Sequence, residues 1–349
     1  MSDQTNHNKK NLDETVIDWL ENEGYPLEFN TCYHFNQGGF QVRQGCYSRD
    51  DDSNPREIDL VAQYTTRVDD STLRVSYFVE CKYSKDFPWI VFLSSKQGPL
   101  PSATIAQTIG NDVAHALLWC RAGDPNLFQN SLFEQQDNNG FGGVQALSKG
   151  KDLMYSAIQS ITDATCKELK NKPNRDSVPE DLRYAEIGLP LIVIDGPLYE
   201  AWHDSTSGKM KIKRVKSSRL NYQGSAAWKF ICNIDVVTID ELPVFLMKRK
   251  SDIKDLLNSI AISYKEFKKA ISLKSLDPIT ITNAPRGIVG MPPFLRRLKK
   301  HIENEIAKDQ PIIPAMSDQT SLPATAPNLS FNSDATSSGH FHHRNAPPR

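Results

Sequence analysis

An aspartate lies inside one apolar run, "EIDLVAQ" at 57–63, and a Glu-x-Lys inside the next, "SYFVECKYS" at 76–84. An ionised group in a buried strand is costly unless it is paired, so these charges need solvent or a chemical role. Strand side chains alternate between faces. On that basis Tyr77, Val79, Cys81 and Tyr83 share one face, and Phe78, Glu80, Lys82 and Ser84 the other. In the first run, Ile58, Leu60 and Ala62 face one way while Glu57, Asp59 and Val61 face the other. If the strands pair, Asp59 lies beside Glu80 and Lys82. Two carboxylates plus the backbone carbonyl of Cys81 offer hard oxygen ligands for Mg²⁺ or Mn²⁺. Lys82 beside such an ion would orient or activate a water and stabilise charge on a phosphate under attack.

These residues need a sheet and helices to hold them. Leu12, Val16, Trp19 and Leu20 recur with helical spacing, and Gly24 stands where that helix should stop. Residues 32–44 read as a strand broken by Gly38 and Gly39, and "SRDDDSNP" (48–55) as a polar loop. The runs 57–64 and 73–83 are strands joined by the hairpin connection "TTRVDDST". A long, less readable stretch containing "FPWIVFL" (87–93), a helix near 103–121 and a Gly/Asn-rich loop (137–143) follow. Next come a helix over 151–169, with Leu153, Ala157, Ile158 and Ile161 on one side, and the apolar strand "LPLIVIDG" (189–196). A basic strand (209–216), a further strand (229–239) and Lys-rich helices over 242–275 and 293–308 complete the pattern. Helix, strands, hairpin, helix and strand in this order predict an α/β core with a mixed central sheet between helices.

The chain has 349 residues, a formal net charge of -1 and 39% hydrophobic residues, enough for a sizeable core. That charge balance argues against a generally basic nucleic-acid coat but leaves room for a local basic groove. The six cysteines are scattered, without CxxC or Cys/His ligand spacing, which fits reduced thiols. The polar start lacks a signal-peptide pattern, and no run approaches the roughly 18 apolar residues of a membrane span. The expectation is a cytoplasmic protein with no membrane association. Residues 1–10 read as a flexible leader, 11–241 as the α/β domain with an insertion at about 85–150, and 242–310 as a helical C-terminal extension. Residues 311–349, rich in Ser, Thr, Pro and Asn, read as a disordered tail.

"EIDLVA" followed across a hairpin by Glu-x-Lys resembles the PD-(D/E)xK nuclease superfamily, the restriction-endonuclease-like fold. The resemblance implies an αβββαβ core and divalent-metal-dependent hydrolysis of phosphodiester bonds, DNA foremost, with Mg²⁺ or Mn²⁺ as cofactor. Asp59 matches the metal-binding aspartate, Glu80 the second acidic ligand and Lys82 the catalytic lysine. The family often carries an acidic residue on its first helix. Asp13, inside the arc of Leu12, Val16 and Leu20, is preferred there to the outward-pointing Glu14. A glutamine on the helix after Glu-x-Lys is another family feature, matched by Gln159, and "LPLIVIDG" resembles the next core strand. The sequence departs from the pattern at Ile58, where the superfamily's name has proline, and in the long insertion before Gln159. A homodimer fits a double-strand cut, and a partner protein in a defence or repair system is also implied.

Blander readings stand beside these. Glu80 and Lys82 could form an ordinary surface pair of little energetic value. The run Lys209, Lys211, Lys213, Arg214 and Lys216 could track a phosphate backbone, or it could protect a sheet edge from aggregation. Trp89 and Phe92 suit a core, and "RRLKK" (296–300) a solvated helix face. His340, His342 and His343 lie in the tail and make a poor metal site. The same fold without turnover would give a nucleic-acid-binding or partner-binding protein. A third reading is a structural or interaction protein that uses the C-terminal helices and tail.

Overall fold

In the computed structural model the described residues are 11–48, 56–84, 86–149, 152–170, 177–223 and 231–309. The expected leader, most of the 48–55 loop, the tail and its histidines lie outside them. The chain opens with α1 (Leu12–Asn22) and α2 (Tyr25–Gln37), then β1 (Gln41–Ser48), β2 (Arg56–Val68), β3 (Ser71–Tyr83) and β4 (Trp89–Leu93). Three helices, α3 (Pro101–Gln107), α4 (Asp112–Arg121) and α5 (Pro125–Phe128), precede β5 (Gly140–Gln145), α6 (Leu153–Lys170) and α7 (Val178–Asp181). Strands β6 (Tyr184–Asp195), β7 (Leu198–Asp204), β8 (Lys209–Val215), β9 (Ser217–Gln223) and β10 (Ile231–Thr238) lead to α8 (Leu242–Leu273) and α9 (Pro293–Asp309).

Among the described residues the strands form one ten-stranded mixed sheet, ordered β1-β2-β3-β6-β10-β9-β5-β4-β7-β8. β1, β2 and β3 pair antiparallel, because short connections return the chain beside itself. β6 runs parallel to β3 from Thr72↔Tyr184 to Tyr83↔Asp195, after the chain has crossed over through α6. Apolar residues on the two sheet faces feed separate cores. Leu73, Val75, Tyr77 and Val79 join α2, α3, α4, α8 and α9 on one face. Phe78, Ile192 and Ile194 meet Met154, Ala157, Ile158 and Ile161 of α6 on the other. The chain is thus a mixed α/β protein whose sheet has helices on both faces.

Several local expectations change. Residues 32–37 are the end of α2, a helix that Pro26 in its first turn starts and whose Leu27, Thr31 and Phe35 are buried at four-residue spacing. The helix near 103–121 is two, parted around Gly110, whose segment bridges to Ile187. The 137–143 loop is largely β5, paired with β4. The stretch 85–150 contributes β4, β5 and α3–α5, and Ile105, Val113 and Leu117 lie deep in the larger core. α8 and α9 pack into that core through Leu246, Ile253, Phe267, Phe294 and Leu298. Leu153 is exposed, whereas Ala157, Ile158 and Ile161 are buried. All six cysteines are free. Among the described residues no helix is long and apolar enough to cross a membrane.

Candidate active site

The site lies where β2 and β3 part. Their ladder runs from Val68↔Ser71 down to Leu60↔Val79. One step further, the Cys81 N–H is taken by a side chain: it donates to Asp59 Oδ2 at 2.7 Å. The N–H and C=O of a strand residue leave on the same edge, so the Cys81 carbonyl lies on the Asp59 side as well. Lys82 Nζ donates to Glu80 Oε1 at 2.6 Å, and Glu80 is only 8% exposed. Asp59, Glu80 and Lys82 therefore gather at one end of the β2–β3 pair.

Strict alternation fails at one point. Ile58 packs in the same core as Val61, while Leu60 and Ala62 pack in the opposite one. On neighbouring β1, Cys46 faces the Ile58 core and Val42 the other. Both strands turn over at Asp59 and its neighbour Gly45, whose φ of +56° suits a residue without Cβ. This turn lets Asp59 reach across to Cys81 instead of standing on a regular face.

Burial raises the carboxyl of Asp59; the Cys81 N–H and the Lys82 charge oppose that rise, and Glu57 adds to it. Glu80 is likewise raised by burial, with Lys82 pulling it down and Asp59 pushing it up. Burial disfavours the Lys82 ammonium, but the Glu80 ion pair and the Asp59 charge outweigh it and hold Lys82 above its ordinary value. One lysine thus under-compensates a group of partly desolvated carboxylates. That imbalance suits a cation.

Glu28 of α2 belongs to the same electrostatic group. Its carboxyl is raised by burial and then by Asp59 and Glu57. Gly24 places it: with φ of +87° it joins α1 to α2, and a Cβ there would come within 2.8 Å of Tyr83 Cβ. This close approach sets the start of α2 against the end of β3. The Cys81 thiol turns the other way, toward Thr31 of α2 at 3.7 Å.

Two expected members are not brought in. Asp13 is exposed on α1, a helix that buries no residue, so its apolar arc does not point to a core and gives no reason to choose it. Glu28 on the following helix, by contrast, interacts electrostatically with Asp59, Glu80 and Lys82. Gln159 Nε2 donates to the Tyr222 hydroxyl at 3.0 Å. Tyr222 is on β9, three strands from β3 and about 14 Å away in the sheet, so Gln159 is directed away from the carboxylates.

Other candidates resolve more simply. Trp89 is fully buried, and Phe92 stacks on Phe141 at 6.1 Å. The basic run forms β8, at the far edge of the sheet, where Lys211 pairs with Asp204 at 2.5 Å. Ser84 bonds locally to the Phe87 backbone.

Among the described residues no three His, Cys, Asp or Glu side chains form a ready metal-ligand group. The donors at the cluster are two carboxylates and a carbonyl. A hard divalent ion that keeps several waters accepts such a set, whereas zinc, with its preference for nitrogen and sulfur, does not. The donor chemistry therefore fits Mg²⁺ or Mn²⁺. A scan against protein-family models, a search of curated proteins and a search of solved structures each gave no match.

Proposed function

We propose that the protein is a divalent-metal-dependent nuclease of the PD-(D/E)xK kind, hydrolysing phosphodiester bonds in DNA. The observation that carries this reading is the convergence of Asp59 on the Cys81 backbone beside the Glu80–Lys82 pair. The order α2, β1, β2, β3, α6, β6, with β6 parallel to β3, adds support because an αβββαβ core requires it. Asp59, Glu80 and the Cys81 carbonyl would hold Mg²⁺ or Mn²⁺, which when bound supplies Lewis-acid polarisation and a more acidic water. Lys82, which donates to Glu80 at 2.6 Å, would donate to a phosphoryl oxygen or orient the attacking water. Glu28, with its raised carboxyl, would orient that water or take up its proton.

A second reading is a nucleic-acid-binding protein of this fold without turnover. The closed Glu80–Lys82 contact at 2.6 Å favours it, since it occupies one of the few oxygen donors. Linear, supercoiled and single-stranded DNA and RNA, incubated with Mg²⁺ or Mn²⁺ and with EDTA, separate the two. Metal-dependent cleavage is expected. Binding to DNA with no cleavage in either metal would reject the nuclease reading in favour of the second.

A further inference from the structure

Helix α1 has no place in either core. It buries no residue, and Leu12, Val16, Ile17 and Trp19 are all exposed, Leu12 by 73%. Its 11 residues are too few for an isolated helix to hold its shape in water, so its apolar side calls for cover. α2 continues the same surface. The Trp19 and Tyr25 rings lie 5.7 Å apart. Tyr25, Phe29 and Tyr33 then recur at four-residue spacing on the exposed side, away from the buried Leu27, Thr31 and Phe35. A continuous apolar face of this kind marks an interaction surface. Its charge is one-sided: Asp13, Glu14, Asp18, Glu21 and Glu23 accompany it, and residues 11–42 hold no Lys or Arg. Such a face repels phosphates and anionic lipid, and it repels a second face like itself. Its cover must be apolar and basic.

α8 presents a face of that description beside it. Phe35 of α2 and Phe245 of α8 both meet the Tyr77 ring of β3, at 5.7 and 6.4 Å. The two helices therefore lie on the same side of the sheet, in the same core, and their outer sides look away from it together. On α8 the outer side carries Val244, Met247 and Ile262, all exposed, Met247 by 72%. Lys248, Lys254 and Lys265 are exposed on this helix as well, against one exposed carboxylate, Asp255. The two faces are opposite in charge, alike in apolar character and adjacent. Both look outward, so neither covers the other within one chain.

We propose that the chain forms a two-fold dimer in which the α1–α2 face of each copy packs on the α8 face of the other. A two-fold axis makes the acidic–basic contact twice and closes the assembly. The apolar side chains form its centre and the charges its rim. The dimer does not depend on cleavage activity. Sedimentation velocity of the full chain tests it. At about 50 μM, above the weak end of standard-size interfaces, the wild type should sediment at about twice the 39.3 kDa chain mass. Two charge swaps at exposed positions address the two faces: Asp13→Lys with Glu21→Lys on α1, and Lys248→Glu with Lys254→Glu on α8. Either swap alone should weaken association by about a hundredfold or more, because each reversed charge turns attraction into repulsion at both contacts. Mixed in equal amounts, the two variants should form a dimer again, since the reversed faces match each other and the native faces still do. Far-UV circular dichroism equal to wild type is expected of both. A monomeric wild type, including one that binds phosphatidylcholine vesicles instead, would overturn the proposal. So would a dimer unmoved by either swap, or variants that stay monomeric when mixed.

Discussion

Replacing Asp59 with asparagine should make the metal-free protein more stable while destroying its response to Mg²⁺. The amide oxygen can still accept the Cys81 N–H, so the gap between β2 and β3 stays closed. What disappears is a carboxylate that burial holds above its ordinary range. The sign follows from proton linkage. A carboxyl raised in the folded state contributes stability that is fully present below its unfolded pKa and is lost as pH rises through its folded pKa. Asp59, Glu80 and Glu28 are all raised, so the metal-free wild type should lose stability as pH climbs from the ordinary carboxylate range toward neutrality. Asp59→Asn should flatten that slope and gain on the order of 1 kcal/mol at neutral pH, the usual scale for relieving a functional site. For a core of this size that gain is roughly 2 °C in Tm. Wild type should gain about 2.7 kcal/mol when Mg²⁺ stands at a hundredfold over Kd, and the variant almost nothing. Calorimetric melts from pH 5 to 8, in EDTA and in Mg²⁺, measure all three effects. A variant less stable than wild type in EDTA, or one with an undiminished Mg²⁺ shift, would refute the reasoning.

Three further outcomes are expected. Gly24→Ala should cost about 1–2 kcal/mol in urea unfolding, because φ is +87° and the new Cβ would meet Tyr83; the displaced α2 should slow cleavage too. Glu28→Gln should reduce the cleavage rate about a hundredfold, the lower end for a general acid–base group, while Asp13→Asn leaves the rate unchanged; equal rates for the two variants would remove Glu28 from the site. Arg249→Leu should destabilise by about 3–5 kcal/mol in the same unfolding assay, since it strips the buried Asp235 of one of the two arginines that hold it.

The part of the candidate site that strand alternation reveals is legible in the sequence alone. Glu80 and Lys82 share a face because β3 is regular, and Tyr77, Val79 and Cys81 line the opposite core as the pattern requires. Asp59 was legible as a neighbour of Glu80, but the turn of the strand at Gly45 was not, because that glycine lies on β1 and only pairing brings it alongside. Glu28 escaped for a different reason. "YPLEFNTCYHFNQ" mixes aromatic and polar residues all round, so its helical face is weakly marked; Gly24 and Pro26 were the usable signals. Asp13 drew attention through an amphipathic stripe that the fold leaves exposed, with Leu12, Val16, Ile17 and Trp19 all open to solvent. Gln159 sits on the expected helix, yet only tertiary packing sends its amide to Tyr222. The stretch 85–150 hid its strands because β4 and β5 find partners late in the chain, on β7 and β9.

The most direct test of the central claim is conversion of supercoiled plasmid to nicked and linear forms by wild type and Lys82→Ala, each in Mg²⁺. Wild type should cut, EDTA should stop it, and Lys82→Ala should be slower by at least a hundredfold, as expected when a charge-stabilising donor is lost. Cutting by Lys82→Ala at the wild-type rate would contradict the account.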